Sequence, residues 1–432
     1  MIGYYRKTLV ELFTKVQRLQ ADPQGNLALC LDIQETLVRK VTYVENRVRL
    51  LRRGIRQAAG SLRTKRADPM PKSTATEHKD RIHRYREQVE QYHTLLSVFR
   101  SVGDAVAFTY LDKWDIKPMA FRQGPGFLSG KSGLRFERRI LREAFRCGRA
   151  AILNDLTTSL RYGDITLPSQ DTVEFVEAKT SSFGGSRARR QTEAIEKICG
   201  YLRDDLVTGL YRPGWEMRRT DMHAPETNHR CELNRLIGDA YRGSRNYAEV
   251  EEGLLYFVEV ERRGVRTGSI IHLLERVMAG RGRNQICFLL NSMKHGMLAY
   301  YPYPLAIADP QAAFDFYAGN LLILVLLDAD VMAKQLASHN LVLEFTEDAD
   351  CALVIRSLDP RWREEDWAAI SRHFFGRVPC EFLSLDWFVK EVIHRAVSIT
   401  TELGDLRAGG ALTSDPPMKR PESRALADHG HG

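Results

Sequence analysis

Asp164, Glu177 and Lys179 stand in the stretch YGDITLPSQDTVEFVEAKTS, residues 162–181. Alternate side chains of an extended segment share a face, so Val173, Phe175, Glu177 and Lys179 point one way and Glu174, Val176 and Ala178 the other. One face therefore turns from apolar to charged toward its C-terminal end. Charges leaving a buried strand surface need compensation, by each other or by something bound, because uncompensated burial costs several kcal/mol. Asp164, at the start of the neighbouring segment, is the natural second carboxylate. Two adjacent carboxylates repel as anions. A divalent cation removes that penalty, and Mg²⁺ (or Mn²⁺) sits on one or two carboxylates together with waters and phosphate oxygens. A lysine beside them positions or deprotonates an attacking water, or stabilises charge building on the phosphate. This is equipment for hydrolysing a phosphodiester.

The elements that must position these groups are legible on either side. LRFERRILREAF, from Leu134, reads as a helix whose apolar face is formed by Leu134, Ile140, Leu141, Ala144 and Phe145. At 100° per residue Glu137 lies near the middle of that face and Glu143 at its margin, so Glu137 needs a partner in the core. Strand-like segments follow at 150–156, 163–167 and 172–180, then a glycine-containing loop and a helix over 187–206. That helix opens SRARRQ. Arg187, Arg189 and Arg190 at a helix start oppose the macrodipole. Phosphate binding would offset the cost; a solvated helix end is the plain alternative.

A helix with Glu, a strand, a strand with Asp, a strand with Glu-x-Lys and a helix, in that order, resembles the PD-(D/E)xK nuclease superfamily, the restriction-endonuclease-like fold. The resemblance covers about residues 130–206. It implies Asp164 and Glu177 as ligands of Mg²⁺ or Mn²⁺, Lys179 as catalytic lysine, Glu137 as an auxiliary acid and Gln191 as a polar active-site residue. Gly163 departs from the pattern, standing where the motif has its proline.

Roughly one or two (D/E)-x-K triplets arise by chance in a chain of this length. Glu77-His78-Lys79 lies in a polar helical context. Asp115-Ile116-Lys117 is followed at once by Pro118, and Asp104 upstream reads as helical. An ordinary ion pair at a sheet edge remains the bland reading of Glu177 and Lys179. GPGFLSGKSG, 124–133, ends as a phosphate-cradling loop should, but Pro125 occupies the first glycine position, leaving a cover near the site or a connector. His223, His229 and Cys231 lack the second close pair that zinc requires. No GxSxG elbow frames a nucleophilic serine. Tyr300, Tyr301 and Tyr303 in MLAYYPYPLAIADP, 297–310, read as packing rather than base stacking.

At 432 residues the chain is long enough for two or three units with cores of their own. Its net charge of +8 favours a polyanionic partner. The seven cysteines are scattered, odd in number and never spaced as CxxC, which argues against a disulfide framework or zinc finger and for a reducing, cytoplasmic setting. MIGYYRKTLVELF has no signal-peptide core, NLLILVLLDAD is too short to span a bilayer, and no membrane partner is expected. The expected organisation is a basic helical region over 1–115, for which a coiled coil is one arrangement, a nuclease-like α/β core over 116–215, a second α/β region over 216–406 and a disordered tail over 407–432. Segments 253–260, 285–291, 321–327 and 351–356 read as strands, 361–374 and 384–402 as helices. The expected function is metal-dependent cleavage of nucleic acid, DNA in preference to RNA. Cutting both strands would favour a dimer, for which the N-terminal helices are the available surface. Bacterial restriction or phage defence is a context by analogy only. The alternative is a nucleic-acid-binding or scaffold protein with a silent nuclease-like core.

Overall fold

The computed structural model describes residues 1–64, 70–120, 126–169, 172–178, 186–210, 216–219, 221–261, 284–293, 299–348, 350–363, 366–408 and 423–425. The chain divides into two compact units, Met1–Arg219 with Lys294–Ala318, and Thr220–Met293 with Gly319–Gly432. The basic helical region and the strand-bearing block, expected as separate regions, thus share one unit.

The reason lies in polar residues buried within helices. After α1 (Arg6–Ala21), α2 (Leu27–Thr64) packs against α3 (Lys72–Tyr110). Cys30, Ile33, Leu37, Val41, Val44, Val48 and Leu51 of α2 are buried. Their spacing of three and four residues draws a single seam along the helix. Val48 and Leu51 meet Val89 of α3, flanked by Ile55, Tyr85 and Tyr92. Gln34 and Glu45 are buried on the same helix, and a buried polar side chain has to find partners. Gln34 donates to the carbonyl of Ala151 (2.8 Å) and accepts from the amide of Leu153 (2.8 Å). Glu45 accepts from the amide of Ser129 (2.7 Å) and from Arg100 of α3 (3.2 Å). Two helical residues thereby fix the first strand and the loop after 126.

Asp104 of α3, a rival acid in the sequence, has the same kind of role. It is buried and accepts from the amide and hydroxyl of Thr158 (2.8 and 2.6 Å) and of Ser159 (3.0 and 2.6 Å). Beside it, a Cβ on Gly103 would lie 2.0 Å from the carbonyl oxygen of Leu156. Gly103→Ala therefore forces two backbones apart, and about 2–3 kcal/mol of destabilisation is expected. Thermal denaturation checks this; an unchanged Tm would contradict so close a contact.

Helix α4 (Lys113–Ala120) contains Asp115, Lys117 and Pro118, so that rival triplet is not in a strand. Helix α5 (Leu134–Arg146) leads into an antiparallel sheet of β1 (Ile152–Leu153), β2 (Ile165–Pro168) and β3 (Val173–Val176), in the order β1-β2-β3, and α6 (Ser186–Asp204) follows. A separate ribbon pairs β4 (Leu206–Thr208) with β5 (Glu216–Arg218).

The second unit is mixed α/β. Helix α7 (Arg230–Gly243) precedes β6 (Arg245–Glu251) and β7 (Leu254–Val260), and β8 (Gln285–Leu289) and β9 (Leu321–Asp328) complete an antiparallel sheet ordered β6-β7-β9-β8. Strands β10 (Leu341–Thr346), β11 (Cys351–Ser357), β12 (Ala368–Ser371) and β13 (Ser423–Ala425) form another, ordered β12-β11-β10-β13. The helix expected over 361–374 is corrected here. Ala368–Ser371 pairs with β11, and the helix runs over Arg372–Glu381, capped by the Ser371 hydroxyl accepting from the amide of Phe374 (3.1 Å). The expected helix at 384–402 is found as Leu385–Ala408. Of the tail expected to be disordered, Ser423–Ala425 pairs with β10, and 409–422 and 426–432 lie outside the described residues. Among the described residues no helix is long and apolar enough to cross a membrane.

Candidate active site

The β2–β3 hairpin brings two of the expected residues to one end of the sheet. Ile165 lies opposite Val176, so Asp164, directly before β2, and Glu177, directly after β3, are neighbours. The amide of Asp164 donates to the carbonyl of Val176 (2.9 Å), and its Oδ2 accepts from the amide of Ala178 (2.8 Å). Asn154, buried after β1, ties the hairpin back. Its side-chain amide donates to the carbonyls of Tyr162 (2.6 Å) and Gly163 (3.2 Å), and its Oδ1 accepts from the hydroxyl of Thr166 (2.8 Å).

Gly163 has φ +70°, and a Cβ there would stand 3.1 Å from the carbonyl oxygen of Val176. Proline is locked near φ −65°, so this backbone excludes the residue that the resembled motif carries. Gly163→Ala is expected to cost about 1–2 kcal/mol and Gly163→Pro more. Thermal melts of both variants test this; Tm values equal to wild type would contradict it.

Two residues absent from the sequence-derived site complete the arrangement. Lys131, in the loop before α5, places Nζ 2.9 Å from Glu137 Oε1, 2.8 Å from Asp155 Oδ2 and 2.8 Å from Asp164 Oδ1. Three carboxylates, from α5, from the turn after β1 and from the start of β2, thus converge on one ammonium. Glu137 is 1% exposed, and its second oxygen, Oε2, is buried with no hydrogen-bond partner among the described residues. The N-terminus of α5 also abuts the end of β3. A Cβ on Gly133 would lie 3.0 Å from Glu137 Oε1 and 4.0 Å from the carbonyl oxygen of Ala178.

Burial opposes the charge on Lys131, yet Asp155, Asp164 and Glu137 outweigh it and hold the ammonium above the ordinary lysine range. Burial raises the pKa of Glu137, Lys131 draws it back down, and the neighbouring anions Asp164 and Asp155 add to the rise. With all three acids ionised the cluster carries a formal charge of −2. Among the described residues no group of three or more His, Cys, Asp or Glu side chains is arranged to hold a metal ion; these three are gathered on an ammonium instead.

Glu177 is half-buried, next in the chain to Val176, whose carbonyl accepts from the amide of Asp164. Lys179 lies outside the described residues. Gln191 is half-buried on α6 and, among the described residues, makes no hydrogen bond to the cluster. Arg189 is exposed and pairs with Glu193 one turn on (2.9 Å), and Arg190 is exposed. Arg187 starts the same helix. In the second unit, His229 pairs with Glu251 (3.2 Å), His223 stacks on His394 (3.9 Å between centroids) and Cys231 is exposed. They do not converge on a zinc site. Tyr303 is buried among Phe316 and Tyr317, and Tyr301 lies edge-on to Phe108, so these two aromatics pack.

Comparison with models of protein families, with curated proteins and with solved structures finds no match for this chain.

Proposed function

We propose that the protein is a divalent-metal-dependent nuclease, cleaving phosphodiester bonds in nucleic acid, with DNA preferred, at the end of the β2–β3 hairpin. The observation that carries this reading is the convergence of Glu137, Asp155 and Asp164 on one point, with Glu137 Oε2 buried and without a partner among the described residues. A buried acceptor without a donor is costly, and a net charge of −2 suits a divalent cation. The donors are hard oxygens, which fit Mg²⁺ or Mn²⁺.

Asp164 and Glu177 would hold the ion, with Asp155 and Glu137 completing the oxygen set. When bound, such an ion supplies charge neutralisation at a phosphate and a more acidic water. Within the chain itself, the amide of Ala178 orients Asp164 through Oδ2, and the Asn154 clamp keeps the hairpin end in register with Asp155. By the resemblance, Lys179 would stabilise charge on the phosphate, and Gln191 would be an accessory polar group.

One feature favours a second reading, a nucleic-acid-binding or scaffold protein whose core is silent. Lys131 already neutralises part of the cluster without any ion. Cleavage assays on supercoiled plasmid and on linear single- and double-stranded DNA and RNA, with Mg²⁺, Mn²⁺ or EDTA, separate the two. Cutting that EDTA abolishes and that Glu177→Ala and Lys179→Ala lose supports the nuclease. Binding without cutting under every condition supports the silent core.

A further inference from the structure

The middle and distal part of α2 carries Arg47, Arg49, Arg52, Arg53, Arg56 and Arg63 with no Asp or Glu from Asn46 to Thr64. All six are exposed. Arg49 and Arg53, and likewise Arg52 and Arg56, are four residues apart on one helix face, where like charges are unfavourable. Among the described residues no carboxylate ion-pairs with Arg49, Arg52, Arg53 or Arg56. A solvated helix normally interleaves acids into such a run, as the exposed first half of α3 does with Glu77, Asp80, Glu87 and Glu90.

Two of these arginines are already ordered. The guanidiniums of Arg49 and Arg52 lie 5.4 and 5.8 Å from the ring centroid of Phe127, a side chain that is itself 37% exposed. Arg52 also contacts His93 Nε2 (3.2 Å). Such stacking leaves guanidinium N–H groups available while removing part of the entropy cost of fixing the side chains. Arg49 further lies against Gly130, whose φ is +77° and where a Cβ would come 2.8 Å from a guanidinium nitrogen. Gly130 is the residue before Lys131. The basic face therefore continues directly into the loop that enters the carboxylate cluster.

We propose that Arg49, Arg52 and Phe127, continued by Arg53 and Arg56 along α2, form the nucleic-acid-binding face that delivers the phosphate backbone to the carboxylate cluster. The placement of this face at a cleavage site rests on the nuclease reading; the binding face stands apart from it. Its ligand is the sugar–phosphate backbone, since guanidiniums on a helix exposed to solvent contact phosphates and carry little base information.

The test is fluorescence anisotropy of labelled oligonucleotides (single-stranded DNA, duplex DNA and single-stranded RNA) in EDTA, which removes cleavage from the readout. The double variant Arg49→Glu/Arg52→Glu is expected to weaken binding at least about tenfold and to lower the slope of log affinity against log salt by about 2. Arg53→Glu/Arg56→Glu, at exposed positions away from the loop, is expected to weaken binding in the same direction and guards against misfolding of the first variant. Mn²⁺ binding by both variants should match wild type, which keeps this outcome apart from the fate of the metal site. Unchanged affinity and salt slope in both variants, or no binding of any oligonucleotide by wild type at low salt, would overturn the proposal.

Discussion

Asp164→Ala is expected to lower metal-dependent cleavage by about 10³-fold or more and to leave the fold assembled. The size follows from three losses at one position. The site loses a charged oxygen that a divalent cation needs, the partner of Lys131 Nζ (2.8 Å) and the acceptor of the Ala178 amide (2.8 Å) that holds the hairpin end. Removing one such electrostatic contact alone costs about 10²–10³ in rate. The fold should survive, because Asn154, Thr166 and the β2–β3 register hold the hairpin independently. Asp164→Asn separates charge from shape. Its carboxamide can still accept from Ala178, so a loss of cutting with an unchanged Tm would assign the effect to the missing charge. Full cleavage by either variant would remove Asp164 from the site.

Lys131→Met carries the second large effect, and it has opposite signs with and without metal. In the absence of divalent cations the variant leaves Glu137, Asp155 and Asp164 facing one another without the ammonium that joins them. Breaking a buried charge pair from one side costs about 3–5 kcal/mol, which partial exposure of Lys131, Asp155 and Asp164 (29, 23 and 20%) reduces to about 2–4 kcal/mol here. The Tm of the metal-free protein should therefore fall by about 5–10 °C. Added Mn²⁺ should return most of that loss, and the variant should bind the ion more tightly than wild type, because an ion no longer competes with the ammonium. Differential scanning calorimetry with EDTA or Mn²⁺ measures both. A variant as stable as wild type in EDTA, or one that Mn²⁺ fails to stabilise, would show that Lys131 is not the internal counter-ion of this cluster.

The sequence was informative where local periodicity decides structure. The charged end of an alternating strand pointed to Glu177, with Asp164 on the neighbouring segment, and the hairpin register sets the two side by side; the helical angle of Glu137 pointed it into the core, where it is buried beside Lys131. Less was legible where tertiary contacts decide. Lys131 stands in a loop whose spacing fails as a nucleotide cradle and which reads as a cover or connector, although it is the one charged residue in GPGFLSGKSG and stands just ahead of an acid that needs a partner. Asp155 follows a two-residue strand and had no periodic signal at all. The joining of α2 and α3 to the sheet was hidden for a related reason. Gln34, Glu45 and Asp104 read as ordinary polar helix positions until their partners at Ala151, Leu153, Ser129, Thr158 and Ser159 come into reach. The switch from helix to β12 at Ala368–Ser371 came from pairing with β11, a long-range contact that overrode local preference.

Isothermal titration of the metal-free protein with Mn²⁺, comparing wild type with Glu137→Gln, tests the carboxylate cluster most directly. Saturable binding by wild type is expected, weakening as pH is lowered and protons compete for Glu137, and at least about tenfold weaker in the variant, which retains the shape of the side chain without its charge. Absence of Mn²⁺ binding by wild type at millimolar ion, or equal affinity in Glu137→Gln, would contradict it.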